Sequence, residues 1–138
     1  MKLRIKGNFI RLRLGQSEVL RLALEGSVEE STAFGPFKQQ CLAYVLSVSP
    51  EEIPTDASFT DRRIEISVPR SAVEQWAATD QVSIEAVQRT GFGGELRILI
   101  EKDFACIDGA LAESQADAFP HPHLGTDCPP TNRIERLA

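Results

Sequence analysis

The sequence is poor in the residues on which most catalytic sites depend. It contains only two histidines, His121 and His123, and both lie near the carboxyl end of the 138 residues. No serine stands in a Gly-x-Ser-x-Gly context and no His-Glu-x-x-His motif occurs. Composition therefore excludes histidine-based catalysis in the body of the chain.

Cysteine and long apolar runs are scarce as well. Cys41, Cys106 and Cys128 form an odd set, which a reduced cytoplasmic protein explains more simply than a disulfide framework does. No run approaches the roughly 18 apolar residues of a membrane span. The basic start, residues 1–6, has no apolar run behind it, so we expect neither a secretory signal nor a membrane partner.

Four residues of the carboxyl-terminal part carry the thiolate and imidazole groups that zinc prefers: Cys106, His121, His123 and Cys128. Their spacing is poor, because no Cys-x-x-Cys pair occurs and a proline stiffens the His-Pro-His stretch. We weigh a zinc site here against a solvated tail, and we expect no cofactor.

What the sequence does contain is a pattern that occurs twice, 54 positions apart. Alternating apolar residues typical of half-buried strands occupy equivalent positions in both copies: Ile10, Leu12 and Leu14, then Ile64, Ile66 and Val68. Helical spacing follows in both: Val19, Leu22 and Ala23, then Val73, Trp76 and Ala77. The pattern predicts a repeated strand-strand-helix-strand-strand unit.

Local signals place the ends of these elements. Gly7-Asn8 is expected to turn the first hairpin, and Thr60-Asp61, 54 positions after Lys6-Gly7, is expected to turn the second. Ser17 is expected to cap the first helix and Gly26 to end it, whereas residues 71–74 fit a capping box at the start of the second helix. We predict one domain over residues 1–104, with halves 1–49 and 55–104, and a proline-rich, partly irregular tail over 105–138.

These elements predict an α+β domain of about eight mainly antiparallel strands, in a strongly curved sheet or barrel with two helices on its apolar outer face. The opposite face of the sheet is charged. It carries Lys2, Arg4, Lys6, Arg11, Arg13, Arg63 and Arg97, together with Glu29, Glu65, Glu85 and Glu101. A curled sheet would gather them into a site for an anionic or polar ligand, whereas in a flatter sheet they are solvated cross-strand partners.

Charge limits the class of partner. The net charge is −5 and the sequence pI is about 5.1, which argues against nucleic acid, whose binding domains are basic overall. We therefore expect a binding or interaction domain whose partner is an anionic small molecule or a protein. The oligomeric state stays open.

Three stretches resemble a family of short bacterial proteins known only as a domain of unknown function. They are residues 1–8 with 10–13, residues 100–106 and the Asp117-Ala118-Phe119-Pro120 segment. The resemblance covers most of the chain and implies a bacterial, cytoplasmic protein, but it supplies no activity or site.

At the level of the fold, two similar halves that close eight strands look like the CYTH-like tunnel-barrel enzymes, which act on triphosphates and thiamine phosphates. The first strand of those enzymes carries Glu-x-Glu-x-Lys for metal and phosphate. Here residues 2–6 read Lys-Leu-Arg-Ile-Lys, so only Lys6 matches. The resemblance implies an alternative function, a phosphate-ester or triphosphate hydrolase, in which the basic residues hold the anion and glutamates hold the metal.

Overall fold

A computed structural model of the chain describes residues 1–104 and 117–120. This part contains eight strands and two helices. In chain order they are β1 (Lys2–Lys6), β2 (Phe9–Leu14), α1 (Gln16–Glu25), β3 (Ser27–Ala33), β4 (Cys41–Ser49), β5 (Asp56–Thr60), β6 (Arg63–Pro69), α2 (Arg70–Ala78), β7 (Ser83–Gly91) and β8 (Gly94–Lys102). A short 3₁₀ turn, Lys38–Gln40, precedes β4.

The strands form two four-stranded sheets. Sheet A has the order β1-β2-β8-β7, and sheet B has the order β3-β4-β6-β5. The central pair of each sheet is parallel and the outer pairs are antiparallel. Helix α1 carries the chain from sheet A to sheet B, and α2 carries it back. The predicted α+β class, with two helices and eight strands, is confirmed.

The prediction of one strongly curved sheet or barrel is wrong. Between the described strands, side chains rather than a backbone ladder join the two sheets. At one margin the Gln88 amide of β7 bonds both backbone groups of Ala57 on β5: its Oε1 accepts from the N–H at 2.6 Å, and its Nε2 donates to the carbonyl at 2.8 Å. Because Gln88 satisfies these groups, β5 forms no ladder with β7 there.

The other margin of the sheets is joined through Tyr44 on β4. Its hydroxyl lies 2.8 Å from the Glu30 carboxylate of β3 and 3.2 Å from the Met1 carbonyl. Burial and the Glu30 hydrogen bond raise the pKa of Tyr44 to about 12. The Met1 amino group also lies 2.7 Å from Glu30. Each margin is thus closed by a few specific polar contacts.

One hydrophobic core lies against the apolar faces of both sheets. The helices pack on these faces, as the alternating pattern predicts, but each helix contacts strands of both sheets. Val19 and Leu22 of α1 and Val73 and Trp76 of α2 are buried in this core. Trp76 is fully buried, and its indole N–H donates to the Val82 carbonyl at 3.0 Å. Burial of an aliphatic or aromatic side chain of this size contributes about 1.5–3 kcal/mol.

The two halves pair their strands in corresponding registers. Leu3 faces Leu12 across β1 and β2, as Ala57 faces Ile66 across β5 and β6. The parallel pair Leu12 and Ile100 likewise corresponds to Ile66 and Leu46, 54 positions away in each case. The third pairing departs from this correspondence, because β7 with β8 is displaced by two residues relative to β3 with β4.

The ends of the elements differ from the sequence prediction in three places. Gly26 ends α1 as predicted, at φ 89°. The second hairpin turns at Asp61-Arg62, one residue later than predicted, and both residues have positive φ. The capping box at α2 is wrong, because Pro69 is the N-cap and the Ser71 hydroxyl donates to Glu52 at 2.6 Å instead.

The third difference is at the start of α1. Ser17 does not cap the helix; the N-cap is Gly15, and Asp117 supplies the acceptors from 100 positions away in the sequence. Its backbone oxygen accepts from Gln16 N at 2.7 Å, and its carboxylate accepts from Ser17 N at 3.0 Å and from the Ser17 hydroxyl at 2.6 Å. These hydrogen bonds hold the pKa of Asp117 below its ordinary value.

The segment 117–120 is fixed to the end of β8. Phe119 N donates to the Asp103 carbonyl at 2.7 Å, and the Phe119 ring lies 5.9 Å from that of Phe104. The buried Lys102 ammonium lies 5.3 Å from the Phe119 ring centroid and donates at 2.7 Å to the carbonyl of Thr79, the C-cap of α2. A charged group from this region therefore caps one end of each helix: Asp117 caps the start of α1, and Lys102 caps the end of α2.

The described helices, of ten and nine residues, include none that is long and apolar enough to cross a bilayer.

Asp117→Ala should lower the free energy of unfolding by about 1 kcal/mol at neutral pH, because it removes the cap of α1. The pKa of Asp117 is lowered by folding, so its contribution is present above its ordinary pKa of 3.8 and is lost as the pH falls through the folded-state value. Urea unfolding at several pH values should therefore show the difference from wild type narrowing in acid. Glu74→Ala on α2 is the control, and an equal loss in both variants would contradict the cap.

Gly15→Ala should also destabilise the fold, for a steric reason. Gly15 has φ −74°, which any residue adopts, but a Cβ there would overlap the Asp117 carboxylate and lie 2.8 Å from its backbone oxygen. The change should displace residues 117–120, so its cost and that of Asp117→Ala should be clearly less than additive in the double variant. If urea unfolding shows that the two losses in the free energy of unfolding are fully additive, the contact between Gly15 and Asp117 is contradicted.

Candidate functional site

The outer surface of sheet A, which points away from the core, carries most of the predicted cations. Strand alternation places Leu3, Leu12 and Ile100 inward, so that their sequence neighbours point outward. We call the outward cations the basic face. It consists of Lys2, Arg4 and Lys6 on β1, Arg11 and Arg13 on β2, and Arg97 on β8.

Cations lie directly opposite cations on this face. In the β1–β2 register, Lys2 faces Arg13 and Arg4 faces Arg11. Like charges directly opposite each other destabilise a strand pair, whereas opposite charges in the same positions would stabilise it. The first hairpin therefore keeps a charge arrangement that folding by itself disfavours.

One carboxylate serves the two arginines of β2. Glu101 Oε1 accepts from Arg11 Nε at 2.5 Å and from Arg13 Nε at 2.7 Å. The side chains are 14%, 22% and 41% exposed for Glu101, Arg11 and Arg13 respectively. Two guanidinium groups thus share one carboxylate oxygen, which leaves this cluster with a net charge of about +1.

The remaining cations of the basic face are largely uncompensated. Lys2 forms an ion pair with Asp103 at 2.8 Å. Arg4, Lys6 and Arg97 have no carboxylate partner within ion-pair distance among residues 1–104 and 117–120. Their guanidinium and ammonium donors are available to an external anion.

A depression of about 360 Å³ adjoins these cations. It lies over β2, β8 and β7, and it is lined by Phe9, Glu85, Ala86, Val87, Arg97, Ile98 and Leu99. Outward-pointing Phe9, Val87 and Leu99 give it an apolar lining, and Arg97 and Glu85 add one charge of each sign. Its volume is within the range of small-molecule sites.

These outward apolar residues are not among the predicted site residues. Phe9, Val87 and Leu99 stand at positions where the strand alternation calls for polar side chains. An apolar residue on the solvent side of a half-buried strand can be recognised in the sequence as a departure from the alternation. Three such residues on neighbouring strands would have indicated an apolar depression.

The structure does not bring all the predicted site residues together. Arg63, Glu65 and Glu29 lie on the outer surface of sheet B, whereas Glu85 and Glu101 lie on sheet A with the basic face. Arg63 Nη1 pairs with Glu29 at 2.7 Å across β4, and Glu65 accepts from the Ser47 hydroxyl at 3.3 Å. The predicted set therefore forms two separate surfaces, because the chain crosses between sheets at each helix.

No group of three His, Cys, Asp or Glu side chains that could hold a metal ion occurs in the part of the chain that the structure describes. The candidate zinc ligands Cys106, His121, His123 and Cys128 lie outside the described residues. The arrangement on sheet A is suited to another task, because guanidinium groups bind carboxylates and phosphates through paired, charge-assisted hydrogen bonds.

The fold and the site define an α+β domain of two sheets with a basic outer face on one of them. Residues 1–123 match the model of a family of unknown function, DUF7009, and the chain belongs to this family. No curated protein and no solved structure matches the chain.

Glu101→Gln should destabilise the domain by about 1–2 kcal/mol, because two half-buried guanidinium groups lose their counter-charge. Part of the loss should be recovered in concentrated salt, which screens the repulsion between Arg11 and Arg13. Urea unfolding at low and high salt measures both effects. Glu95→Gln, on the same strand, is the control, and equal stability of the two variants would contradict the shared carboxylate.

Proposed function

We propose that the domain is a binding module that holds an anionic ligand on the basic face of sheet A. One observation carries the proposal: β1 and β2 place cation opposite cation in two successive registers, and Glu101 alone lies between the arginines of β2. Departures from local folding rules are typical of functional sites. A bound anion would reduce the repulsion between the facing cations of β1 and β2, and this gain in free energy would add to its affinity.

Sheet B offers an internal comparison. At a shift of 54 positions, Arg11 and Arg13 correspond to Glu65 and Ser67, and Glu101 corresponds to Ser47. Six outward side chains of sheet B are small and hydroxylated: Ser27, Ser31, Ser47, Ser58, Thr60 and Ser67. We propose that the halves arose by duplication and that anion binding is confined to sheet A, where the charges differ.

The hydrolase alternative has no observation in its favour. It needs several carboxylates beside the bound anion to hold a metal, but Glu29 and Glu65 lie on the other sheet and Glu101 is already shared by two arginines. Glu85 lies in the depression, but no group of three metal-ligating side chains includes it among the described residues. We therefore propose binding without catalysis, with an anionic small molecule as the partner. We also propose a bacterial cytoplasmic location, from the family resemblance and the odd number of cysteines.

Inorganic pyrophosphate is a suitable first probe because it presents only anionic oxygens. The wild-type chain should bind it saturably in titration calorimetry, and binding should weaken as salt is added. Arg4→Gln should weaken binding about tenfold, since the lost charge-assisted hydrogen bonds are worth about 1.5 kcal/mol.

Lys38→Gln makes the same change of charge on the exposed 3₁₀ turn and should leave binding unchanged. An absence of saturable binding to wild type, or equal losses in Arg4→Gln and Lys38→Gln, would contradict the proposal.

A further inference from the structure

We infer that the ligand of the basic face is a guanosine phosphate, with its phosphates over β1 and β2 and its base in the depression over β8 and β7. This inference rests on the proposed function and adds the identity of the group attached to the anion. It depends on the order of side chains across the sheet and on the lining of the depression.

The polarity of the outer surface reverses along one row of sheet A. Arg4, Arg11, Leu99 and Glu85 are register partners on β1, β2, β8 and β7. From β2 to β7 this row spans two strand spacings, about 10 Å, a distance comparable to the length of a nucleoside monophosphate. A ligand along the row meets cations first, then an apolar surface, then a carboxylate.

The middle of the row is suited to a flat ring. Phe9 is half-buried beside Arg97, and Leu99 and Val87 complete the apolar part of the depression. Aromatic rings and guanidinium planes both stack on nucleobases, and Phe9 and Arg97 are register partners on adjacent strands. The depression is a single space of about 360 Å³ over three strands rather than an extended track, which favours a mononucleotide over a polymer.

The acidic end of the row selects the base. Glu85 is exposed at the edge of the depression, and a carboxylate there repels phosphate and accepts hydrogen bonds only. Guanine carries two adjacent N–H donors, at N1 and the N2 amino group, which match the two oxygens of a carboxylate. Uracil carries a single N–H between two carbonyl groups, so it pairs less well with Glu85.

Titration of the full chain with GDP, UDP and inorganic pyrophosphate tests the inference, because all three carry two phosphate groups. GDP should bind about tenfold more tightly than pyrophosphate, and more tightly than UDP. Glu85→Gln should reduce the preference for GDP over UDP and leave pyrophosphate binding essentially unchanged. Phe9→Ala should reduce GDP affinity toward that of pyrophosphate.

Glu25→Gln, an exposed acidic position on α1, is the matched control and should alter none of the three affinities. Pyrophosphate binding as tight as GDP binding would overturn the inference and leave the proposed function intact. A preference for GDP over UDP that is undiminished in Glu85→Gln would also overturn it. Failure of all three ligands to bind would overturn both proposals together.

Discussion

The structure depends on two charged side chains that cap one end of each helix beside the end of β8. Asp117 accepts the first N–H groups of α1, and Lys102 donates to the last carbonyl of α2. Both belong to the region where the end of β8 meets residues 117–120, which Phe119 links to Asp103 and to the Lys102 ammonium. Because each helix runs from one sheet to the other, fixing these ends also fixes how the two apolar faces share one core.

A shared core leaves each sheet with a free outer surface, and the two surfaces differ in chemistry. On sheet A the excess cations are held at short spacing, with Glu101 neutralising only part of the charge of Arg11 and Arg13. On sheet B the one cation of the predicted set, Arg63, is balanced by its ion pair with Glu29. A chain with a net charge of −5 thus concentrates positive charge on one face, where it can act locally on an anion.

Periodicity predicted much of this fold, because a strand alternates and a helix recurs at 3.6 residues whatever its partner is. Leu12, Ile66 and Trp76 occupy the core as their spacing indicates. Pairing was not predictable in this way: the alternation assigns Arg63 to an outer face but does not say that β6 lies in a different sheet from β2. The cap at α1 was missed because Asp117 is distant in sequence. The depression was missed because it forms only where Phe9, Leu99 and Val87 lie on neighbouring strands, and the alternation alone does not give that pairing.

Backbone amide chemical shifts measured during a pyrophosphate titration test the central claim most directly, because they report where the anion binds. Saturable shifts should concentrate on β1, β2 and β8, which carry the basic face, and sheet B should change little. Saturable shifts that centre instead on β3 and β5, or the absence of any saturable shift on sheet A, would contradict the account.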